Sequence, residues 1–399
     1  MGSARVDRGT EPGMRDLGTY LRAGSNFLQG LDPYSDPAMR LGPSLLPFFG
    51  IIDFVVPKGA LAIAFQILAM LGLLFLVNSL TELSYRDNLP IYLAICWFSA
   101  TRENLVNIQI TGLLALLAGC GIRLVKNSKS KIVELVGCFM LVLALDTKPH
   151  IFVLITIIFL VIEKKVKLIW SIFGLLAFNH SILSLINGNF LSLSWLRTLL
   201  GLYDAKSQGE LGESLVIWPL LERLGVDPKI TSFLSIALFL ILIFYFLTNM
   251  HLAESRPVNY YLMALTFPSI GIFFHYYDIA IAIAIFFANV ISSNRLKVAL
   301  VALPFALVPS GVENLQNTAI IVGILILLKL FQRQFSEVNL KIIVGSLAPY
   351  LIYSLILKYR VEVDLKQQFQ VTFAALSLII ISFTLKFQDR KTVIPRKME

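Results

Sequence analysis

The sequence is poor in charged residues and in the residue types that build metal and disulfide sites. Only 15% of its 399 residues are charged, and it contains three cysteines and four histidines. The cysteines, Cys96, Cys120 and Cys138, all lie inside apolar segments and show neither metal-ligand spacing nor a disulfide pattern. We therefore interpret them as small core residues. The sequence predicts no metal site and no other cofactor, with the use of a divalent ion by the reaction left open.

Several motifs of soluble enzymes are also missing. The sequence contains no phosphate-binding Walker loop, no GxSxG or HExxH motif, and no DxD motif of the kind that holds a metal and a nucleotide sugar. These absences argue against a soluble nucleotide-sugar donor. Residues 1–15 are polar and lack the apolar segment of a cleavable signal peptide.

Apolar sequence fills most of the chain. Hydrophobic residues make up 57% of it, which is more than a soluble protein of this length can bury, so we predict an all-α, polytopic helical membrane protein with about thirteen spans. Residues 41–57 are apolar but broken by prolines and a glycine, which favours an interfacial or re-entrant element. The candidate spans are residues 60–79, 89–100, 108–122, 132–146, 150–162, 168–186, 231–248, 259–274, 279–292, 298–309, 317–331, 342–357 and 370–385.

Loops rich in Lys and Arg alternate along the chain with loops that contain few basic residues, and this pattern predicts the orientation of the protein in the membrane. The positive-inside rule makes the basic loops cytoplasmic, which also accounts for the net charge of +9 without any nucleic-acid partner. The opposite loops are poor in Lys and Arg and form an outer face. The basic segments are 123–131, 163–167, 294–297, 332–341 and 386–399, and the outer segments are 101–107, 146–150, 187–230, 275–278 and 313–317.

This topology divides the chain into four parts. We predict an extracytoplasmic catalytic loop with interfacial helices over residues 1–59 and a first transmembrane bundle over 60–186. An outer loop over 187–230 carries an amphipathic helix at 214–224, and a second bundle with a basic cytoplasmic tail covers 231–399. Residues 1–59 lie outside with no preceding span, so either the N-terminus crosses unaided or the sequence begins after a lost first helix.

Residues 16–34 form the longest polar motif that precedes the spans. Asp16 and Tyr20 are four residues apart, so a helix places both on one face, with Arg22 nearby. Gly30 and the Asp32–Tyr34 turn then end that helix. An acid, a phenol and a guanidinium at a membrane surface suit chemistry on a lipid headgroup, and the alternative is an ordinary surface helix with its cap.

Two outer boundaries carry further candidates. Lys148 follows a span directly before Pro149, where an ammonium either binds a phosphate or extends to the lipid headgroups. His275 and Asp278 enclose two tyrosines, and His275 is a candidate hydrogen-bond donor to an oxyanion. Asn107, with Asn104 and Gln109 beside it, begins a span where amides bind sugar hydroxyls or satisfy backbone groups. These alternatives stay open at the level of sequence.

Residues 16–34 resemble the first outer loop of glycosyltransferase family 87, a family of polytopic GT-C enzymes. The likeness covers roughly residues 14–280 and includes a Lys-Pro pair and a later outer histidine. It implies inverting transfer of a hexose, with mannose favoured, from a polyprenyl-phosphate sugar, and it implies that the first-loop aspartate is the catalytic base. The matching residues are Asp16, Tyr20, Ala23, Gly24, Gly30, Asp32, Pro33, Tyr34, Val106, Asn107, Lys148, Pro149 and His275.

The resulting hypothesis is a multi-pass cell-membrane hexosyltransferase with its active site on the extracytoplasmic side. Its partners are the polyprenyl-phosphate donor, a glycan or glycolipid acceptor of the cell envelope, and membrane lipids. The alternatives are a polytopic transporter or lipid flippase and a non-catalytic scaffold. The expected roles are catalytic base for Asp16, donor-phosphate binding for Lys148, His275 and Arg22, and acceptor or sugar binding or loop shaping for Tyr20, Asp32, Tyr34, Asn107 and Asp278.

Overall fold

A computed structural model describes residues 15–36, 39–81, 108–201, 225–249 and residue 281. Every regular element in those ranges is helical, which confirms the predicted all-α class. The chain begins with α1 (Arg15–Leu28), a 3₁₀ helix (Pro43–Leu45) and α2 (Leu46–Val55). The other helices of the described ranges are α3 (Lys58–Thr81), α4 (Thr111–Asn127), α5 (Lys131–Thr147), α6 (Pro149–Ile162), α7 (Leu168–Asn187), α8 (Leu191–Gly201) and α9 (Pro228–Thr248).

Six predicted spans coincide with helices α3–α7 and α9. Of these, α3 (over Lys58–Leu80) and α7 are long and apolar enough to cross a membrane by length and composition, which supports membrane association. Shorter apolar helices lie at Pro149–Ile162 and Lys229–Tyr245. Apart from residue 281, the remaining predicted spans and the amphipathic helix at 214–224 lie outside the described residues, so the count of thirteen spans stays a prediction.

The chain divides into two compact units. The first combines Met1–Ser79 with Arg102–Gly209, and the second combines Leu80–Thr101 with Glu210–Glu399. The first unit holds α1, α2, α4–α8 and nearly all of α3, whereas α9 belongs to the second. The candidate residues within the described ranges all belong to the first unit. The boundaries predicted at residues 59, 186 and 230 divide the chain by membrane topology, whereas these units are defined by contacts between residues. Those boundaries therefore stay a prediction.

Helices α4 and α5 form an antiparallel hairpin whose backbones nearly touch. A Cβ atom added at Gly121 would lie 2.8 Å from the Gly137 carbonyl oxygen. Helix α3 runs beside α4 in the same direction, because Gly72 lies against Gly112 and Leu76 lies against Gly119 one to two turns later. Small residues at such contacts bring helices close, as is common where lipid surrounds a bundle.

The hairpin gives the first unit two chemically different ends. The basic end (residues 123–134 and 163–167) is fixed by an ion pair of 2.7 Å between Lys165 and Glu134 and one of 3.4 Å between Lys126 and Glu163. The two basic loops assigned to one side by sequence therefore lie at the same end of the unit. The opposite end, called the polar end here, comprises residues 16–34, 42–46, 109–111, 146–150 and 187–192.

Helix α1 belongs to the polar end and crosses α2 at two glycines. A Cβ atom added at Gly24 would overlap the Gly50 backbone nitrogen, and one added at Gly50 would lie 2.5 Å from the Gly24 carbonyl oxygen. Leu17 and Phe27 are buried on the same helix. The helix ends at Leu28, and Gly30 follows with φ of 72°, as the sequence predicts.

Large apolar side chains point outward along several helices. Trp170 and Leu185 of α7 are 79% and 82% exposed, and Phe54 of α2 is 92% exposed. Apolar surface of this extent needs an apolar surrounding, so these faces are suited to lipid.

We expect Gly24→Ala to lower the unfolding free energy by about 1–3 kcal/mol, because a methyl group at the crossing forces the α1 and α2 backbones apart. The matched control is Gly174→Ala in α7, where an added Cβ meets nothing within 4 Å. That substitution should be neutral or stabilise by up to about 1 kcal/mol. Thermal unfolding of the detergent-solubilised full chain measures both, and equal shifts would contradict the close crossing.

Candidate functional site

Asp16 and Tyr20 lie one turn apart on α1 and contact the same amide. Gln109 Nε2 donates to Asp16 Oδ2, and Tyr20 OH donates to Gln109 Oε1 at 3.1 Å. Tyr20 and Gln109 are buried, at 7% and 1% exposure, while Asp16 is half-buried. Because the two ends of the amide contact a carboxylate and a phenol, Gln109 has one favourable orientation and fixes that of Asp16. The predicted common face of Asp16 and Tyr20 is therefore confirmed.

The backbone just before Gln109 is strained. Ile108 is buried and adopts φ of 48°, which a β-branched side chain rarely tolerates. Such a conformation costs on the order of 1–3 kcal/mol and persists only where the surroundings impose it. The strained residue lies just before α4 and directly before Gln109, whose amide contacts α1. Strained backbone is common at functional sites, and this position agrees with one.

Lys148 is buried at the turn between α5 and α6. It is 4% exposed, and among its contacts is a hydrogen bond of 2.9 Å from Nζ to Thr111 Oγ1. The ammonium therefore lies inside the polar end instead of extending to the lipid headgroups. A positive charge in such a water-poor setting attracts negative charge more strongly than it does in water, so this position is a candidate for binding an anion. Thr111 begins α4 and Gln109 lies two residues before it, so the start of α4 (residues 109–111) contacts both the Lys148 ammonium and the Asp16 carboxylate.

Asp146, the penultimate residue of α5, is the centre of a second network. It is 3% exposed, and its Oδ2 accepts hydrogen bonds from the Ser44 backbone amide at 3.0 Å and from Ser44 Oγ at 2.5 Å. Its Oδ1 lies 2.8 Å from His180 Nε2 on α7. Asn179 Nδ2 donates to Ser44 Oγ at 2.8 Å. A Cβ added at Gly42 would overlap the Asp146 carbonyl oxygen, so only glycine lets this loop approach α5 so closely.

His180 continues that network to α8. Its Nδ1 lies 2.6 Å from Ser192 Oγ, and its ring packs edge-on against Trp195 with centroids 6.3 Å apart. Trp195 Nε1 in turn donates to the Arg40 carbonyl oxygen at 3.1 Å. The chain from Asp146 through His180 to Ser192 joins α5, α7 and α8.

Asp32 and Tyr34 shape the turn after α1. Asp32 Oδ1 accepts from the Tyr34 backbone amide at 3.0 Å, which is the Asx-type bond expected from the sequence. Tyr34 OH donates to the Leu41 carbonyl oxygen at 3.0 Å. Burial raises the pKa of the Tyr34 phenol well above its usual value, and the carboxylates of Asp146 and Asp32 raise that pKa further.

The other candidates differ in how far the structure describes them. Arg22 is exposed and pairs with Asp36 at 3.3 Å, with a hydrogen bond of 3.2 Å to Thr19. Within the described residues, no group of three His, Cys, Asp or Glu side chains is arranged to hold a metal, and the expected absence of a metal stays a prediction. Asn107, His275 and Asp278 lie outside the described residues.

Sequence reasoning named Gln109 only among the amides that bind sugar hydroxyls or satisfy backbone groups, not as a partner of Asp16, and it singled out none of the partners of Asp146. Ser44, His180 and Ser192 follow no spacing rule, because each meets its partner across the fold. One signal was present in the sequence, since His180 and Asn179 are polar residues inside an apolar span, and such residues usually mark a site.

Raising the pH through the alkaline range should selectively remove the contribution of Tyr34 to stability. Its pKa is higher folded than unfolded, so this contribution is complete below about pH 10 and is lost as pH rises through the folded pKa. At pH 8, Tyr34→Phe should lower the unfolding free energy by about 1 kcal/mol, because it removes the hydrogen bond to Leu41, but this variant has no phenol to ionise. Urea unfolding at pH 8 to 11 should therefore show that the difference in unfolding free energy between the native protein and Tyr34→Phe becomes smaller as the pH rises. A constant difference would contradict a buried neutral phenol.

Comparison of the chain with models of known protein families gives no match, and comparison with curated proteins gives none either. The likeness of residues 16–34 to glycosyltransferase family 87 therefore rests on those residues and the shorter motifs beside them. The feature of the described residues that bears most directly on function is the polar end, where one helix start contacts a carboxylate and a buried ammonium.

Proposed function

We propose that the protein is a membrane glycosyltransferase of the GT-C class. It transfers a hexose, with mannose favoured, from a polyprenyl-phosphate sugar to an envelope glycan or glycolipid acceptor, with inversion at C1. One observation carries the proposal: the start of α4 contacts the Asp16 carboxylate through Gln109 and the Lys148 ammonium through Thr111. The reaction needs one base and one cation, and both types of group lie at the same helix terminus.

The base in this proposal is Asp16. Inverting transfer requires a group that takes the proton of the acceptor hydroxyl while its oxygen attacks C1 from the side opposite the phosphate. A half-buried carboxylate suits this role because an acceptor can reach it. The Gln109 donor on Oδ2 and the Tyr20 hydroxyl behind that amide keep the carboxylate in one orientation during the attack.

The cation is Lys148. As the bond between C1 and the phosphate oxygen breaks, negative charge grows on the departing polyprenyl phosphate, and a fixed ammonium in a water-poor site stabilises that charge strongly. Pro149 at the first position of α6 and the hydrogen bond to Thr111 hold Lys148 at this turn. Arg22 is a further donor to that phosphate in this proposal, and the sequence-based roles of His275, Asn107 and Asp278 stay predictions.

A transporter or flippase requires a different placement of polar groups. Substrate sites of transporters lie near the bilayer midplane between helix bundles. In the described part of the first unit, Asp16, Gln109 and Lys148 instead gather at helix termini. An extracytoplasmic, multi-pass enzyme that meets a lipid-linked sugar at the membrane surface agrees better with that placement.

Asp16→Asn should reduce sugar transfer by ~10²–10⁴, because asparagine keeps an acceptor for Gln109 but is not a base. Membranes that contain the full chain are given radiolabelled polyprenyl-phosphate mannose and envelope glycolipids, and transfer is counted. The matched control is Asp32→Asn, since asparagine preserves the Asx-type bond to Tyr34, and this variant should stay close to native activity. Near-native transfer by Asp16→Asn would remove Asp16 as the base.

Lys148→Met should lower kcat by roughly 10²–10³, the scale for losing one charge-stabilising donor. The control is Lys165→Met at the basic end, where the lysine pairs with Glu134 and the same charge is lost far from the proposed chemistry. Thermal unfolding of both variants separates misfolding from lost activity. A raised KM with unchanged kcat would mean that Lys148 contributes binding alone and would contradict its role in the transition state.

A further inference from the structure

A groove lies between α7 and α8, on the far side of His180 from Asp146. Its volume is about 350 Å³, and Phe173, Leu176, Ala177 and Phe190 give it an apolar wall. His180 and Ser192 lie at the same groove and supply its reactive groups, with the hydroxyls of Ser181 and Ser184 beside them. A serine hydroxyl, a histidine and the apolar wall of this groove thus lie together, and the proposed sugar transfer uses none of them.

The hydrogen bonds around Asp146 fix the direction of the proton chain. Ser44 Oγ accepts from Asn179, so its own hydrogen points to Asp146 Oδ2, which also accepts from the Ser44 amide. With two donors on Oδ2, Asp146 acts as a carboxylate and Oδ1 accepts the N–H of His180 Nε2. In the neutral imidazole Nδ1 is then an acceptor, so the Ser192 hydroxyl donates to it.

We propose that Ser192 is the nucleophile of an esterase activity that acts on long-chain lipid esters, with His180 as its base and Asp146 as the positioning residue. The arrangement matches the logic of a serine hydrolase triad, with the roles of the two ring nitrogens exchanged. A hydroxyl, an imidazole and a carboxylate at 2.6 and 2.8 Å form the proton-transfer chain that such a reaction needs.

The reaction balances with water as the only co-reactant. Ser192 Oγ forms a bond to the ester carbonyl carbon while its proton passes to His180 Nδ1. The bond from that carbon to the alcohol oxygen then breaks, and the alcohol leaves with the proton from Nδ1. Water attacks the acyl-Ser192 ester, gives one proton to Nδ1, and releases the fatty acid as the proton returns to Ser192 Oγ.

The start of α8 supplies a donor for the charge that develops on the carbonyl oxygen. Ser192 is the second residue of α8, where backbone amides have no intrahelical acceptor and the helix dipole favours negative charge. The Leu191 amide donates to Ser184 Oγ, and the Leu193 amide donates to the Phe190 carbonyl oxygen. The Ser192 amide between them serves the oxyanion, as the nucleophile's own amide does in serine hydrolases.

The apolar wall selects the substrate class. Phe173 lies seven residues before His180 on α7, so the wall extends about 10 Å along the helix from the reactive groups. Phe173 and Phe190 are 58% and 70% exposed, which continues the groove into the apolar outer face of α7. A long acyl chain can therefore enter from a lipid environment and lie along α7 with its ester carbonyl at Ser192.

The test is covalent labelling of the solubilised full chain with a biotinylated decyl fluorophosphonate, a probe for activated serines. Peptide mass spectrometry of the native protein should place the adduct on Ser192, and Ser192→Ala should not react there. The matched control is Ser171→Ala, which lies on the same helix but does not line the groove, and its labelling should equal the native rate. His180→Gln should slow labelling by roughly 10²–10⁴.

Hydrolysis of 4-nitrophenyl esters completes the test, and we expect the decanoate to be hydrolysed faster than the acetate. Labelling and hydrolysis need no sugar donor, so their outcome is independent of the proposed glycosyl transfer. Because the adduct is mapped on the native protein, the result does not depend on whether Ser192→Ala folds. An unmodified Ser192 on folded protein at excess probe, or equal ester hydrolysis by native and Ser192→Ala proteins, overturns the proposal.

Discussion

The carboxylate of Asp146 is almost out of reach of water, and a buried charge persists only where hydrogen-bond donors replace its hydration. Those donors come from Ser44 in the 3₁₀ helix and His180 in α7. Leaving a buried polar group without its partner costs about 1–3 kcal/mol, and more when the group is charged. This requirement holds the loop after α1, the end of α5 and the middle of α7 in one arrangement, from which the geometry of the polar end follows.

The same carboxylate connects the two centres for which we propose different chemistry. Lys148 follows it by two residues, so the contacts that fix Asp146 also fix the turn that places the ammonium beside Thr111. On the other side, His180 extends the network to Ser192. The Asp16 carboxylate depends instead on Gln109 and on the packing of α1 against α2. Two networks thus meet at one end of the unit, and each one orients a group that is reactive in a water-poor setting.

Local patterns predicted what lies within single elements. The apolar run at 132–146 agrees within one residue with Lys131–Thr147, the spacing of Asp16 and Tyr20 put both on one helix face, and the Asx-type turn at Asp32 formed as expected. What the patterns missed spans the fold: Gln109 meets Asp16 across 93 residues, and Ser44 meets Asp146 across 102. No periodicity relates such residues, because their meeting depends on how helices cross and not on the propensity of any one segment.

The position of these groups suits amphiphilic substrates. A lipid in a bilayer keeps its chain among apolar helix faces and its reactive group near the helix ends, so residues at the polar end meet that group while the chain stays out of water. Lys148 caps α5 at this end, and His180 contacts Asp146, two residues before Lys148. The two proposed centres therefore lie at a similar level of the bundle and differ in what surrounds them. Lys148 is buried beside Thr111, whereas His180 and Ser192 face a groove with an apolar wall. This difference in surroundings matches the two proposed substrate classes, a lipid phosphate and a long-chain ester.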